Sequence, residues 1–262
     1  MRRALFAALV ATSLAAPAAA DVTIKQTNGG KGLGMSGTTA SVTYIKGGKM
    51  RSETVTGDTT RTTVFDITAQ KMYSFDSKKK EADVWNLADF QAEMAKSTNV
   101  AEMKASIKPN GQTRQIAGRT ATGYEMNISV PTAMNGDPNM AMTVNLTGPV
   151  WIVKGAPGSA DWSNFYKLAA EKGLIFGDPR AAKGNAGQAK AMSEMYRQMA
   201  ALGGIAYETE TNIKLEGSGP LAGMMAKMGG MSMTTTVTEV STGALADDLF
   251  AVPAGYKLKE RK

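Results

Sequence analysis

Five methionines, Met224, Met225, Met228, Met231 and Met233, fall within ten residues of the stretch GMMAKMGGMSMTTT. Thioethers are soft ligands that suit Cu(I), and the M-x-x-M and M-x-M spacings could bring several of them to one ion. Two other chemistries use the same side chain. Methionine is unbranched and fills irregular core gaps, and Met-lined surfaces repack around apolar ligands of varied shape. The stretch alone leaves all three open. The chain carries eighteen methionines in 262 residues, so the question extends well beyond this segment.

The chain contains no histidine and no cysteine. That excludes a disulfide, a thiol nucleophile, a histidine-based triad and an ordinary zinc site. An enzyme would have to work with carboxylates, Ser, Lys or Tyr. Glu208 and Glu210 share a strand face, but it is the polar one. Asp247 and Asp248 suit the first turn of a short helix before Phe250. Trp85, Trp151 and Trp162 are single large residues of the kind that fill cores. The segment GKGLG (Gly30–Gly34) could cradle phosphate only where it opens onto a helix, and the next segment reads as a strand. A hairpin loop is expected there. These residues predict neither catalysis nor a cofactor.

The first twenty residues, MRRALFAALVATSLAAPAAA, have a short basic start, an apolar run and an Ala-x-Ala end. This order predicts a signal peptide cleaved after Ala20. Its removal takes Arg2 and Arg3 and no acid, which lowers the formal net charge from +7 to +5. The remaining basic residues are scattered, and Lys78-Lys79-Lys80 reads as a hairpin tip. No basic stripe with stacking aromatics is present, so no nucleic-acid partner is expected. No second apolar run reaches membrane-spanning length. The remaining residues, 21–262, suffice for a single domain with its own core.

Period-two alternation dominates that region. IAYETETNIKL sets Ile205, Tyr207, Thr209, Thr211, Ile213 and Leu215 on one face. YEMNISV does the same with Tyr124, Met126, Ile128 and Val130, and MAMTVNL with Met140, Met142, Val144 and Leu146. Such segments are half-buried strands of an antiparallel sheet. Further strands are predicted at Val22–Thr27, Thr39–Lys46, Lys49–Thr56, Arg61–Thr68, Lys71–Phe75 and Ala82–Asn86. Later ones fall at Gln112–Ile116, Val150–Val153, Met231–Val240 and Tyr256–Lys259. Helical periodicity covers Leu87–Ile107, with a break at Asn99, then Ser159–Lys172 with Ser159 as N-cap and a stop at Gly173, and Asn185–Leu202. The last helix aligns Met192, Met195, Met199 and Leu202 on one stripe.

TYIKGGKMRSET, TVFDITAQKMYSFDSKKKEADVW and DLFAVPAGYKLKE together resemble an uncharacterised family of exported bacterial proteins. That family is similar to the periplasmic lipoprotein-carrier (LolA/LolB-like) superfamily. The resemblance implies an α+β fold: a strongly curved antiparallel sheet, or incomplete β-barrel, covering helices, with an apolar cavity between sheet and helical lid. It also implies a periplasmic location and an acyl chain, lipid or lipidated peptide as ligand. In the carriers an arginine that latches the lid follows a strand lysine. Lys46 matches the lysine, Gly47 stands where the arginine would be, and Arg51 lies beyond the turn.

The expected lining of the cavity is Met126, Met142, Val144, Leu146 and Trp151 from the sheet and Met195 and Met199 from the helices. Met225 and Met228 would form a lid, and about 156–204 is expected to be a helical insertion. The alternative reading is a Cu(I) site at Met224, Met225, Met228, Met231 and Met233, and a third is a structural envelope protein with a filled core.

Overall fold

The computed structural model describes residues 21–32, 35–96, 103–133, 137–172, 186–217, 223 and 229–261. The signal segment, Met224, Met225, Met228, Asn99 and Gly173 lie outside them.

Six strands lead, joined by hairpins: β1 (Val22–Gly32), β2 (Met35–Lys46), β3 (Lys49–Thr56), β4 (Thr59–Asp66), β5 (Lys71–Asp76) and β6 (Glu81–Asn86). After helix α1 (Leu87–Lys96) come β7 (Lys104–Ile116), β8 (Arg119–Ala133) and β9 (Ala141–Val153). Helices α2 (Ser159–Glu171) and α3 (Ala186–Ala201) separate β9 from β10 (Ile205–Gly217). The chain ends with β11 (Met231–Thr242), a short 3-10 turn (Asp247–Phe250) and β12 (Lys257–Arg261).

All twelve strands form one sheet, in the order β12-β6-β5-β4-β3-β2-β1-β11-β10-β9-β8-β7. Neighbours are antiparallel except β12, which runs parallel to β6. The sheet does not close, so β12 and β7 are its two edges. Gly30–Gly32 of the GKGLG stretch, where a hairpin loop was expected, end β1, and Met35 begins its partner β2. No helix N-terminus is there to bind an anion.

Three sequence expectations are corrected. The first predicted helix stops at Lys96, and Lys104–Ile107 belongs to β7. Met103 and Ile107 stand four apart, as on a helix face or along one face of a strand, and pairing to β8 decides for the strand. Pro109 is tolerated because β7 is an edge. The predicted strands Met140–Leu146 and Val150–Val153 are one strand, β9, continuous through Gly148-Pro149. Its pairing to β10 steps from Thr147–Asn212 to Val150–Thr209, so the proline meets no ladder partner on that side. Ser159 is the first helical residue of α2 rather than its cap. Its hydroxyl donates to the Ala156 carbonyl at 2.7 Å, and Gly158, at φ 73°, takes the N-cap position.

The face of the sheet turned toward the helices, called inner here, holds two apolar clusters. In the first, Val22, Ile24, Ile45, Met50, Phe65 and Met72 meet Leu87 and Phe90 of α1 and Trp162, Phe165 and Tyr166 of α2. In the second, β8 to β11 meet α3. The outer face of β4 to β6 carries a third cluster, in which Val64, Phe75 and Ala82 are covered by Phe250, Leu249 and Tyr256 of the C-terminal segment. That segment is held by two cations. Lys46 donates to the Leu245 carbonyl and pairs with Asp247, and Arg51 donates to the Leu249 carbonyl at 2.7 Å. Arg51 also sits 5.7 Å above the Phe75 ring. The alternation of β2 and β3 turns both cations to the outer face, so they fasten the C-terminal strap rather than the helices.

Candidate functional site

Alternation on β8 and β9 sends Met126, Ile128 and Val130, and Met142, Val144 and Leu146, to the inner face. The α-helical period puts Ala191, Met195 and Met199 of α3 on one stripe, and the two sets bury each other. Six of the nine residues expected to line a cavity are therefore brought together: Met126, Met142, Val144, Leu146, Met195 and Met199. None is more than 9% exposed, and Met126, Val144 and Leu146 are wholly inaccessible. The contact is well packed where these six meet.

The cluster's margin is different. Met103, Met192 and Met233 are only partly buried against it, together with Leu202 and Leu215. Met231 is buried within it. The two members of the possible copper set that fall among the described residues thus belong to the apolar interior of β11, while Met224, Met225 and Met228 lie outside those residues, as does the expected lid.

Trp151 does not join the six. It falls between Val150 and Ile152 of the second cluster and packs, partly buried, against the first. There the Arg114 guanidinium stacks 4.0 Å from its ring centre, and Arg114 pairs with Glu208. Glu208 and Glu210 stay on one face of β10, and Glu208 serves a surface ion pair beside an aromatic ring.

A feature not apparent in sequence joins the two inner clusters. Tyr166 of α2 and Tyr196 of α3 stack with ring centres 5.1 Å apart and planes 15° from parallel. The Tyr166 hydroxyl donates to the Met50 sulfur at 3.6 Å. Burial pushes both phenols up, Tyr166 well above its ordinary value, so both stay neutral. The sequence signal was the Trp162/Phe165/Tyr166/Ala169 stripe, which marks a buried face without naming its partner. Glu194 of α3 is also buried, with its side chain 6% exposed. Burial pushes its carboxyl up, but hydrogen bonds from Arg197 and Gln198 outweigh that and hold it below the usual range.

The outer face of β7 to β10 carries an open groove of about 570 Å³ whose lining includes Lys104, Asn127, Asn145, Thr147, Lys214 and Glu216. Ala105 and Ile128 also line it, and none of its lining residues is among the nine expected to line the cavity. Among the described residues no group of three His, Cys, Asp or Glu could hold a metal ion, and no helix is long and apolar enough to cross a membrane.

No protein-family profile and no curated protein matches the chain. Solved structures with a similar chain path include these three. A LolA superfamily protein from Nitrosomonas europaea has 6% identity over 89% of this chain and 91% of its own, with a TM-score of 0.30. A domain from Vibrio parahaemolyticus, named for outer membrane lipoprotein sorting, has 9% identity over 88% of each chain and a TM-score of 0.29. A chain of PNGF-II has 13% identity over 93% of this chain and a TM-score of 0.37, and the present chain spans 31% of its length.

Proposed function

We propose that the protein is a periplasmic carrier that holds an apolar ligand, such as an acyl chain, a lipid or a lipidated peptide, and catalyses no reaction. In this reading residues 1–20 are removed on export and the open sheet curves as an incomplete barrel around α2 and α3. The ligand enters between α3 and the sheet. The observation that carries it is the make-up of that contact: Met126, Met142, Met195, Met199 and Met231 at its centre, Met103, Met192 and Met233 at its half-buried margin.

A fixed core does not need so many side chains with three rotatable bonds. Branched residues specify a core better, whereas methionine accommodates changing shapes. An entering chain gains about 0.8 kcal/mol per buried methylene, less the cost of ordering it and of displacing the methionines. Because the central side chains fill their space, entry must begin at the margin, with Met192 and Met233 turning aside.

Native mass spectrometry of protein purified from its own host tests this. A retained lipid mass is the expected result. Protein that arrives empty and binds no fluorescent fatty-acid probe is not a carrier.

A further inference from the structure

The two ends of the strands β3 to β6 carry different charge. At one end residues 57–58 join β3 to β4 and residues 77–80 join β5 to β6. These turns are neighbours, since the Ser77 amide donates to the Thr60 carbonyl at 2.9 Å. β12 begins at the same end, where the Lys257 amide donates to the Lys80 carbonyl at 2.9 Å. Lys78 pairs with Asp58 at 2.6 Å and Lys259 with Glu81 at 2.5 Å. The hydrogen bond from Lys259 holds the Glu81 carboxyl below its ordinary value, and the nearby charges of Lys257 and Lys79 lower it further, so three cations share one acid. Lys79, Lys80 and Lys257 are exposed and form no salt bridge among the described residues. At the opposite end Lys46 pairs with Asp247 at 3.0 Å and Lys49 with Asp66 at 3.8 Å. Positive charge is thus in excess where Lys79, Lys80 and Lys257 meet.

Apolar surface is exposed at that same end. Among the described residues only two large apolar side chains are exposed, Val55 at 45% and Leu258 at 55%. Val55 stands just before the 57–58 turn, and Leu258 follows the Lys257 that meets the 77–80 turn. The strand register puts both on one face. Glu53, Thr62, Phe75, Ala82 and Leu258 form one row across five strands, and Val55 lies two residues beyond Glu53 on the same side. Phe75 and Ala82 belong to the outer cluster, so that side is the outer one. Four strand spacings separate β3 from β12, which sets Val55 and Leu258 about 20 Å apart. Lysines on an edge strand commonly guard it against pairing with another chain. An exposed leucine between Lys257 and Lys259 works against that purpose and needs another reason.

From this combination we propose that the β3–β4 turn, the β5–β6 turn and the start of β12 dock on an anionic lipid bilayer. Lys79, Lys80 and Lys257 meet the phosphates, and Leu258 and Val55 enter the boundary between head groups and acyl chains. The charges select this partner. The planar fork of arginine is favoured for a fixed carboxylate, whereas the three unmatched cations are all lysines, which act as point charges on flexible stems. A lysine stem also lies along apolar surface while its head stays in water, so lysine and leucine can share one interface. Each lysine near such a surface adds about five-fold in affinity, and three give on the order of 100-fold. No residue of this surface belongs to the contact between α3 and the sheet, so docking is independent of the carried ligand.

Vesicle flotation tests this with residues 21–262, which hold the whole described fold without the apolar first twenty residues. Vesicles of phosphatidylcholine with about one-third phosphatidylglycerol are expected to carry the protein, and about 0.5 M salt to release most of it. Vesicles of phosphatidylcholine alone should carry none. Lys79→Glu with Lys80→Glu, in an exposed turn, should weaken binding at least about 20-fold. Lys79→Gln with Lys80→Gln serves if charge reversal disturbs the fold, which a melting curve shows. Lys104→Glu with Lys108→Glu, on the far edge strand β7, changes the net charge equally and should weaken binding less than about three-fold. Leu258→Ser should weaken it about three-fold or more, through lost apolar contact. Absence of binding to the anionic vesicles, or equal binding to both kinds, overturns the proposal. An equal loss from the β7 variant overturns the location. An unchanged Leu258→Ser overturns insertion of the leucine.

Discussion

Lys46 on β2 and Asp247 at the start of the 3-10 turn are joined by an ion pair of 3.0 Å, and through it the C-terminal strap is tied to the middle of the sheet. Asp21 adds a second tie by accepting from the Leu245 amide at 2.7 Å. The hydrogen bond from Lys46 holds the Asp247 carboxyl below its ordinary value, and the same bond raises Lys46. A depressed carboxylate stabilises the fold fully above its unfolded value, about 3.9, and loses that contribution as pH falls through the folded one. A raised lysine stabilises fully below about 10.4 and loses its share as pH rises through its higher folded value. Asp247→Asn should therefore melt lower than the natural protein at pH 7, and the difference should shrink as pH falls below about 4. A difference that persists at pH 3 would mean that charge is not what ties the strap.

Methionine exposure predicts an order of oxidation. Sulfoxide formation needs peroxide to reach the sulfur, and the product is polar and disrupts an apolar interior. Met192 and Met233, at the cluster's margin, should react before Met126 and Met72, which are fully buried. Peptide mapping after brief peroxide treatment reads this directly. A bound acyl chain should slow Met192 and Met233 and leave the order of the others unchanged.

The strands were legible in the alternation, and their faces with them. IAYETETNIKL reads correctly because β10 is buried on one side only, so Ile205, Thr211 and Ile213 stand apart from Glu210 and Lys214. The position of Trp151 outside the group of six has a local cause. Gly148-Pro149 looks like a strand break, and once MAMTVNL and VWIV are taken as separate strands the second has no fixed phase. In the continuous β9 the phase of Val144 and Leu146 carries through to Val150 and Ile152, and Trp151 packs against the first cluster instead of the second. The Met stripe of α3 was legible from the helical period. The gathering of Val55, Lys79 and Leu258 at one end of the sheet was not, because only the strand register brings them together. Nor was the Tyr166–Tyr196 stack, which depends on how two helices sit on the sheet.

Gly158 should tolerate no side chain. Its φ of 73° lies in the left-handed region, and a Cβ there would stand 2.3 Å from a Val22 methyl. The backbone term alone disfavours alanine by about 1 kcal/mol, and the clash with a wholly buried valine adds about 1–3 kcal/mol more. Gly158→Ala should lower the urea midpoint accordingly and loosen α2 at its N-terminus. Gly47, also at positive φ but with open space around it, provides the contrast. Its alanine variant should show the backbone term only.

Ser163 of α2 is buried, and its hydroxyl has no hydrogen-bond partner among the described residues. An unsatisfied buried hydroxyl costs about 1–3 kcal/mol, and alanine is the better helix former. Ser163→Ala should therefore stabilise the fold, by about 1 kcal/mol in chemical denaturation. A loss of stability would mean that the hydroxyl meets a partner in solution.

Arg197 keeps a buried carboxylate charged. Glu194 accepts from Arg197 Nε at 2.8 Å and from Gln198 at 2.8 Å, and both donors sit on α3 itself, so the group is satisfied within one helix. Arg197→Met retains the aliphatic stem and removes the charge. Glu194 would then be left buried with the Gln198 amide alone, which should cost about 1–2 kcal/mol, since half of the arginine side chain lies in solvent and screens the pair. The pH dependence separates this from lost packing. The folded Glu194 carboxyl lies below its ordinary value, so the pair stabilises fully above about 4.3 and less as pH falls through the folded value. The gap between Arg197→Met and the natural protein should be complete at pH 7 and close toward pH 3. Glu194→Gln should follow the same profile, because it removes the other half of the pair. A gap of equal size at both pH values would assign Arg197 a packing role, and α3 would owe its position on the sheet to its methionines alone.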